Sequence, residues 1–171
     1  MRWVVVAALV LSVGVGLADE LPEDTNEIKS LTVEQAEALA NCEGWLSLDG
    51  LTTITPELAK ALGKHKGGLE LDGLTTITPE VAEVLAKIEG SWLLLNGLTT
   101  ITPEAAEALA KHEGRLSFWG LTTITPEVAK ALGKHKGGLE LDGLTTITPE
   151  ALEILRANPD ISLPQKIREK P

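Results

Sequence analysis

Apolar and polar side chains alternate from Leu69 to Asp72, with Leu69 and Leu71 separated by Glu70. A period of two predicts a short strand with the leucines facing in and Glu70 and Asp72 facing out. A few residues later the period changes. Val81, Val84, Leu85 and Ile88 fall at i, i+3, i+4 and i+7, an apolar stripe along one helix face. The segment between them carries the marks of a helix start. Thr78 is an N-cap, Pro79 takes the first helical position, and Glu80 suits the positive end of the helix dipole. Gly73 lets the backbone bend or approach a neighbour closely. Gly90 is placed to close the helix as a left-handed cap. One unit is therefore a short strand, a threonine-rich turn and a helix of about ten residues.

The unit recurs. GLTTITPE begins at Gly50, Gly73, Gly97, Gly120 and Gly143, at a step of 23 or 24 residues. Caps at Thr55, Thr102, Thr125 and Thr148 precede Pro56, Pro103, Pro126 and Pro149, and Gly67, Gly114 and Gly137 repeat the closing position. A lone strand–helix pair cannot bury its apolar face, so the units must stack. Strands then lie side by side in parallel, joined by right-handed helical crossovers. Six helices and six strands are expected. The ends depart from the pattern, as solenoid ends do. Thr32 and Gln35 form a capping box for an acid-studded first helix, Val33 to Glu43. Ile161 and Leu163 make a last strand before Pro164 stops pairing and a charged tail follows. Stretches 50–80 and 120–150 differ only at Leu58 against Val128, so a three-unit block has been copied.

The segment Leu46-Ser47-Leu48-Asp49-Gly50-Leu51 and its counterparts at 69–74, 93–98, 116–121 and 139–144 resemble the leucine-rich repeat, in its short bacterial form with one helix per unit. The resemblance implies an α/β fold, a right-handed leucine-rich-repeat-like solenoid with a parallel β-sheet on one side and short helices on the other. It also implies a binding scaffold that works through its sheet face. One feature departs from the family. The place that commonly holds Asn or Cys, about three residues after the second strand leucine, holds Leu51, Leu74, Leu98, Leu121 or Leu144 here. Without that buried asparagine ladder, a curvature different from the standard horseshoe is expected.

The beginning of the chain reads differently. Met1-Arg2 is a short positive start, Trp3 to Leu17 is uncharged and mostly apolar, and Gly16-Leu17-Ala18 places small residues before a cut. This is the layout of a signal peptide over 1–18, cleaved after Ala18. The apolar run is about 15 residues, short of the roughly 20 that a spanning helix needs. The expected organisation is a signal peptide at 1–18, an acidic linker at 19–30, the solenoid at 31–163 in about six units, and a tail at 164–171. The expected location is secreted or periplasmic, in the cell envelope, with no membrane insertion after cleavage.

Charge narrows the partners. The chain has a formal net charge of −10, and without Arg2 it holds 25 acidic against 14 basic residues, or −11. Nucleic acid and anionic membranes repel such a chain unless basic residues cluster, and here the clusters are short Lys-His-Lys triplets and the last few residues. Cys42 is the single cysteine, so stability must come from stacking rather than an internal disulfide. Its plainest role is that of a small buried hydrophobe, with pairing to a second chain as the alternative.

Three outward columns should line the sheet. The first holds Trp45, Gly68, Trp92, Arg115 and Gly138; the second Ser47, Glu70, Leu94, Ser117 and Glu140; the third Asp49, Asp72, Asn96, Trp119 and Asp142. Copied units present Gly, Glu and Asp, and the intervening units depart from them. Exposed Trp and Arg are enriched where proteins bind, and aromatic faces flanked by Asn and Asp suit sugar rings. Trp92, Leu94, Asn96, Arg115, Trp119 and Trp45 are therefore the candidate residues for binding a protein or glycan. The alternative is that the rings fold over neighbouring strands and the protein is an envelope or extracellular spacer with no specific ligand. The third column reads as solvated carboxylates rather than a calcium site, since it is broken at Trp119 and no EF-hand loop is present. His65, His112 and His135 share a place with Cys42 and Ile88, a half-buried helix flank with too few ligands for zinc. No nucleophile motif, HExxH or phosphate loop appears, so no catalytic residue, metal or cofactor is expected.

Overall fold

The computed structural model describes residues 24–169; the expected signal peptide lies outside them. Six strands form one open, all-parallel sheet in sequence order: β1 Trp45–Ser47, β2 Gly68–Glu70, β3 Trp92–Leu94, β4 Arg115–Ser117, β5 Leu139–Glu140 and β6 Ile161–Ser162. Helices α1 Val33–Ala40, α2 Pro56–Leu62, α3 Pro79–Leu85, α4 Pro103–Leu109, α5 Pro126–Leu132 and α6 Pro149–Arg156 alternate with them. This is an α/β repeat solenoid, consistent with the leucine-rich-repeat-like architecture expected from the sequence. The register places Leu46, Leu69, Leu93, Leu116, Leu139 and Ile161 in one inward row. Leu48, Leu71, Leu95, Phe118 and Leu141 form a second row, each 0% exposed. Leu51, Leu74, Leu98, Leu121 and Leu144, which stand where the family pattern has Asn or Cys, are a third buried row.

Each helix starts as its sequence dictates. Thr55, Thr78, Thr102, Thr125 and Thr148 accept a hydrogen bond from the backbone N–H three residues on, and proline follows each. Thr32 and Gln35 complete a capping box. The helix ends differ from expectation. The α2–α6 helices have seven or eight residues and close through Gly63, Ala86, Ala110, Gly133 and Ala157, all in right-handed conformations. Among the described residues Gly44 alone has positive φ, at 87°. Gly67, Gly90, Gly114 and Gly137 are thus not left-handed caps. A Cβ at Gly67 would fall 1.5 Å from the Gly44 carbonyl oxygen, and one at Gly137 2.2 Å from that of Gly114. Glycine stands there because successive units touch backbone to backbone.

Short elements flank the six strand–helix units among the described residues. Residues Thr25–Glu27 form a 3-10 turn, with Thr25 and Ile28 buried. Asn26 and Ile28 lie 23 residues before Asp49 and Leu51 and repeat their roles. Their carbonyl oxygens lie 2.4 and 2.5 Å from a Cβ built at Gly50, just as those of Asp49 and Leu51 crowd Gly73. Among the described residues the stack therefore begins with a partial unit at Asn26 and Ile28. At the far end a short helix, α7 Gln165–Arg168, docks Ile167 into the core at 1% exposure. Arg168 donates a hydrogen bond to the Leu163 carbonyl at 3.1 Å, and Arg156 donates one to the Arg168 carbonyl. Among the described residues no helix is long and apolar enough to cross a membrane.

Candidate functional site

The sheet face carries three ladders, and the side chains along each are set by one-unit spacing. In the first column Trp45 lies over Gly68, where a Cβ would sit 2.6 Å from the indole. The Trp45 and Trp92 ring centroids are 6.1 Å apart at 44°, so the two rings meet across Gly68, the β2 position without a side chain. The Arg115 guanidinium then stands 4.8 Å from the Trp92 ring centroid. Such a cation–π contact contributes about 0.5–1 kcal/mol at an exposed site. The Arg115 stem passes 3.2 Å from a Cβ built at Gly138. Trp45, Trp92 and Arg115 thus form one continuous row. Both rings are half-buried and Arg115 is exposed.

The third column is a ladder of a kind that sequence reading missed. Asp49 Oδ1 accepts from the Asp72 N–H at 3.1 Å, Asp72 Oδ1 from the Asn96 N–H at 2.9 Å, and Asn96 Oδ1 from the Trp119 N–H at 3.1 Å. These acids and amide are not simply solvated; each holds the backbone of the next unit. Asn96 stands where the other rungs have Asp, and its Nδ2 adds a second bond to Asp72, at Oδ2 and 3.0 Å. Trp119 has no acceptor to pass on, and the run stops. Asp142 accepts from the Ser162 hydroxyl, and its counterpart Pro164 has no N–H to offer. The equal spacing of the acidic residues was the available signal.

Of the candidate residues, the structure joins Trp45, Trp92 and Arg115 at the start of the strands. Leu94 is half-buried between Glu70 and Ser117. Asn96 is consumed by the ladder, since its Oδ1 also accepts from the Ser117 hydroxyl at 2.7 Å. Ser117 itself is 1% exposed, so the second column is not open there. Trp119 lies four residues beyond Arg115, about 13 Å along the chain direction at strand rise. Its Nε1 donates to Glu140 Oε2 at 3.2 Å, and at 56% it is the most exposed large hydrophobic side chain among the described residues. The face thus has two aromatic stations, at opposite ends of the strands, rather than one patch centred on Trp92 and Trp119.

The carboxylates of Asp49, Glu70 and Asp72 bring one oxygen each within 4.8 Å of one another. Asp49 already serves the Asp72 N–H and the Ser47 hydroxyl. The histidines are fully buried rather than half-buried: His65, His112 and His135 are 0, 2 and 1% exposed. His65 Nε2 lies 3.1 Å from the Gly44 carbonyl oxygen, and His135 Nδ1 and Nε2 lie 3.2 and 3.1 Å from those of Ala110 and Gly114. The rings brace the helix-to-strand corner. Each fills the space beside the glycine two residues on, where a Cβ would fall 2.6–2.8 Å from Nε2. Cys42 is half-buried, and burial pushes its thiol up, away from the reactive thiolate.

His112 makes the corner acid-sensitive. Neither ring nitrogen meets hydrogen-bond geometry, unlike the equivalent His135. Burial lowers its pKa below the ordinary 6.5, helped by the charge of His135 and opposed by the nearby Ala86 carbonyl and Glu113. The unfolded chain therefore binds a proton before the folded one does. Stability from this residue is complete above 6.5 and declines as pH falls from there toward the lower folded-state value. Glu57, Glu80 and Glu127, held below 4.5 by their own backbone N–H groups and the cap threonines, act in the same direction at lower pH. Urea midpoints are expected to fall between pH 7 and 5, and less so in His112→Ile, the residue type that Ile88 supplies at this place.

No family model matches the chain, and no curated protein matches it.

Proposed function

We propose that the protein is an exported, non-enzymatic scaffold of leucine-rich-repeat type that binds a protein or glycan through its sheet face. The observation that carries the reading is the uneven sheet face. The copied units present Gly, Glu and Asp, whereas the units between them bring Trp92, Arg115 and Trp119 to the surface with one ring more than half exposed. Export rests on the leader-like residues 1–18 and places the protein outside the cell or in its envelope. The half-burial of Trp45 and Trp92 over Gly68 favours a second reading, a spacer whose rings serve stacking alone.

The two readings separate experimentally. Capture of ligand from native medium or cell surface, followed by a glycan array, is expected to weaken at least tenfold in the Trp92→Ala, Trp119→Ala double variant while the circular dichroism spectrum is unchanged. Capture that survives both substitutions rejects the sheet-face reading. Self-association that persists in the double variant, with no ligand captured by either protein, supports the spacer.

A further inference from the structure

The duplicated block sets up a natural comparison. Gly68-Leu69-Glu70-Leu71-Asp72 and Gly138-Leu139-Glu140-Leu141-Asp142 are identical in sequence and differ in surroundings. Over the first copy, Trp45 covers Gly68 and meets Trp92. Over the second, no ring covers Gly138. Arg115 borders it on one side, and on the other the two-residue β6 strand gives way to Pro164. The result is a cleft of about 470 Å³ above β5 and β6, within the size range of small-ligand sites.

The charges in this cleft are not those of the rest of the chain. Every arginine after Arg2 lines it, namely Arg115, Arg156 and Arg168, in a chain of net charge −10. Among the described residues the Arg115 guanidinium makes no hydrogen bond or ion pair; its partner is the Trp92 ring, which orients the planar group. Arg168 gives one N–H to the Leu163 carbonyl and retains further donors. Guanidinium groups bind carboxylates in a forked, two-bond geometry. Glu140 and Asp160 also line the cleft. They disfavour the concentrated double charge of a phosphate monoester more than a ligand with one carboxylate per sugar ring, and they accept hydrogen bonds from hydroxyl groups. Trp119 is not one of the lining residues, but it is bonded to Glu140, which is, and it offers an exposed ring beyond that side chain.

We infer that this cleft binds an oligosaccharide containing a uronic acid. The sugar carboxylate meets Arg115 and Arg168, the hydroxyls donate to Glu140 and Asp160, and a ring face lies on Trp119. The inference rests on the reading of the sheet face as a recognition surface and names the chemistry at its C-terminal end. The test compares a β-1,4-linked mannuronate trimer with β-1,4-mannotriose, which carries a neutral hydroxymethyl group in place of each carboxylate. Binding to the full chain is followed by calorimetry and tryptophan fluorescence.

The uronate is expected to bind at least tenfold more tightly than the neutral trimer. Arg115→Gln and Arg168→Gln are each expected to weaken it at least tenfold with unchanged circular dichroism. Arg115→Gln is the decisive variant if loss of Arg168 loosens α7. No saturable uronate binding, equal binding of the two trimers, or binding indifferent to Arg115→Gln overturns the inference. A uronate failure combined with ligand capture that still depends on Trp92 and Trp119 sinks the cleft alone. Capture independent of both rings sinks the broader reading.

Discussion

Gly97→Ala is expected to lower the free energy of unfolding by about 3 kcal/mol or more, the upper end for overpacking. A Cβ at this position would fall 1.8 Å from the Asp72 carbonyl oxygen and 2.9 Å from that of Leu74. Both obstacles are backbone, held in turn by the sheet register and by the Asp72–Asn96 bonds, so neither can move aside without parting two units. Gly97 also stands in the middle of the array, where each unit is supported mainly by its two neighbours. Loss of this seam should divide the rod, and a fall in the urea m-value with the midpoint would show that the halves unfold separately. The same substitution at Gly63 should have the opposite sign. Gly63 is right-handed at φ −62° and ψ −15°, and Ala86 and Ala110 occupy its place in other units. Gly63→Ala should raise stability by about 0.4–1 kcal/mol through the unfolded chain. Equal effects at the two glycines would refute the account of why glycine recurs.

Phe118→Ala should cost about 3–5 kcal/mol, the usual range for emptying a buried aromatic site. Phe118 is fully buried, in the inward row that otherwise uses Leu48, Leu71, Leu95 and Leu141. Its backbone N–H donates to the Glu140 carbonyl at 2.9 Å, and Ser117 and Trp119 flank it in the chain. The aromatic core residue therefore sits beneath the least regular part of the face. Phe118→Leu, which restores the residue used by the neighbouring units, should cost less than about 1.5 kcal/mol. Chemical denaturation of the two variants side by side measures the difference. A small loss for alanine would mean that the core collapses around the site.

Much of the architecture was readable because one unit was seen five times. The threonine caps, the proline after each and the leucine rows follow from spacing alone. The glycines after the helices were misread for a physical reason. Glycine serves both positive φ and close backbone approach, and only the position of the preceding unit distinguishes Gly67 beside the Gly44 carbonyl from a left-handed cap. The histidines looked half-buried because Ile and Cys share their place, and the carbonyl oxygens of the preceding unit that their ring nitrogens approach are visible only once the units are stacked. The Asp49–Asp72–Asn96 ladder requires the strands to be in register before side chain meets N–H, although its regular spacing was visible. The partial first unit at Asn26 and Ile28 escaped because it lacks the octapeptide. At the face, residue types marked Trp92, Arg115 and Trp119 as unusual. Their division into two stations, and the cleft over Gly138, depend on which glycine has a tryptophan beside it.

The near-identity of 50–80 and 120–150 bears on how such a chain changes over generations. Unequal recombination between the two coding stretches would insert or delete the 70 residues separating Gly50 from Gly120 without shifting the reading frame. Each new junction would place residues already matched to one another, and the rod would change by three rungs, roughly 14 Å. The deletion would also remove Trp92, Arg115 and Trp119 in one step. The same copying that makes length inexpensive to vary makes the distinctive surface a discrete, inheritable cassette.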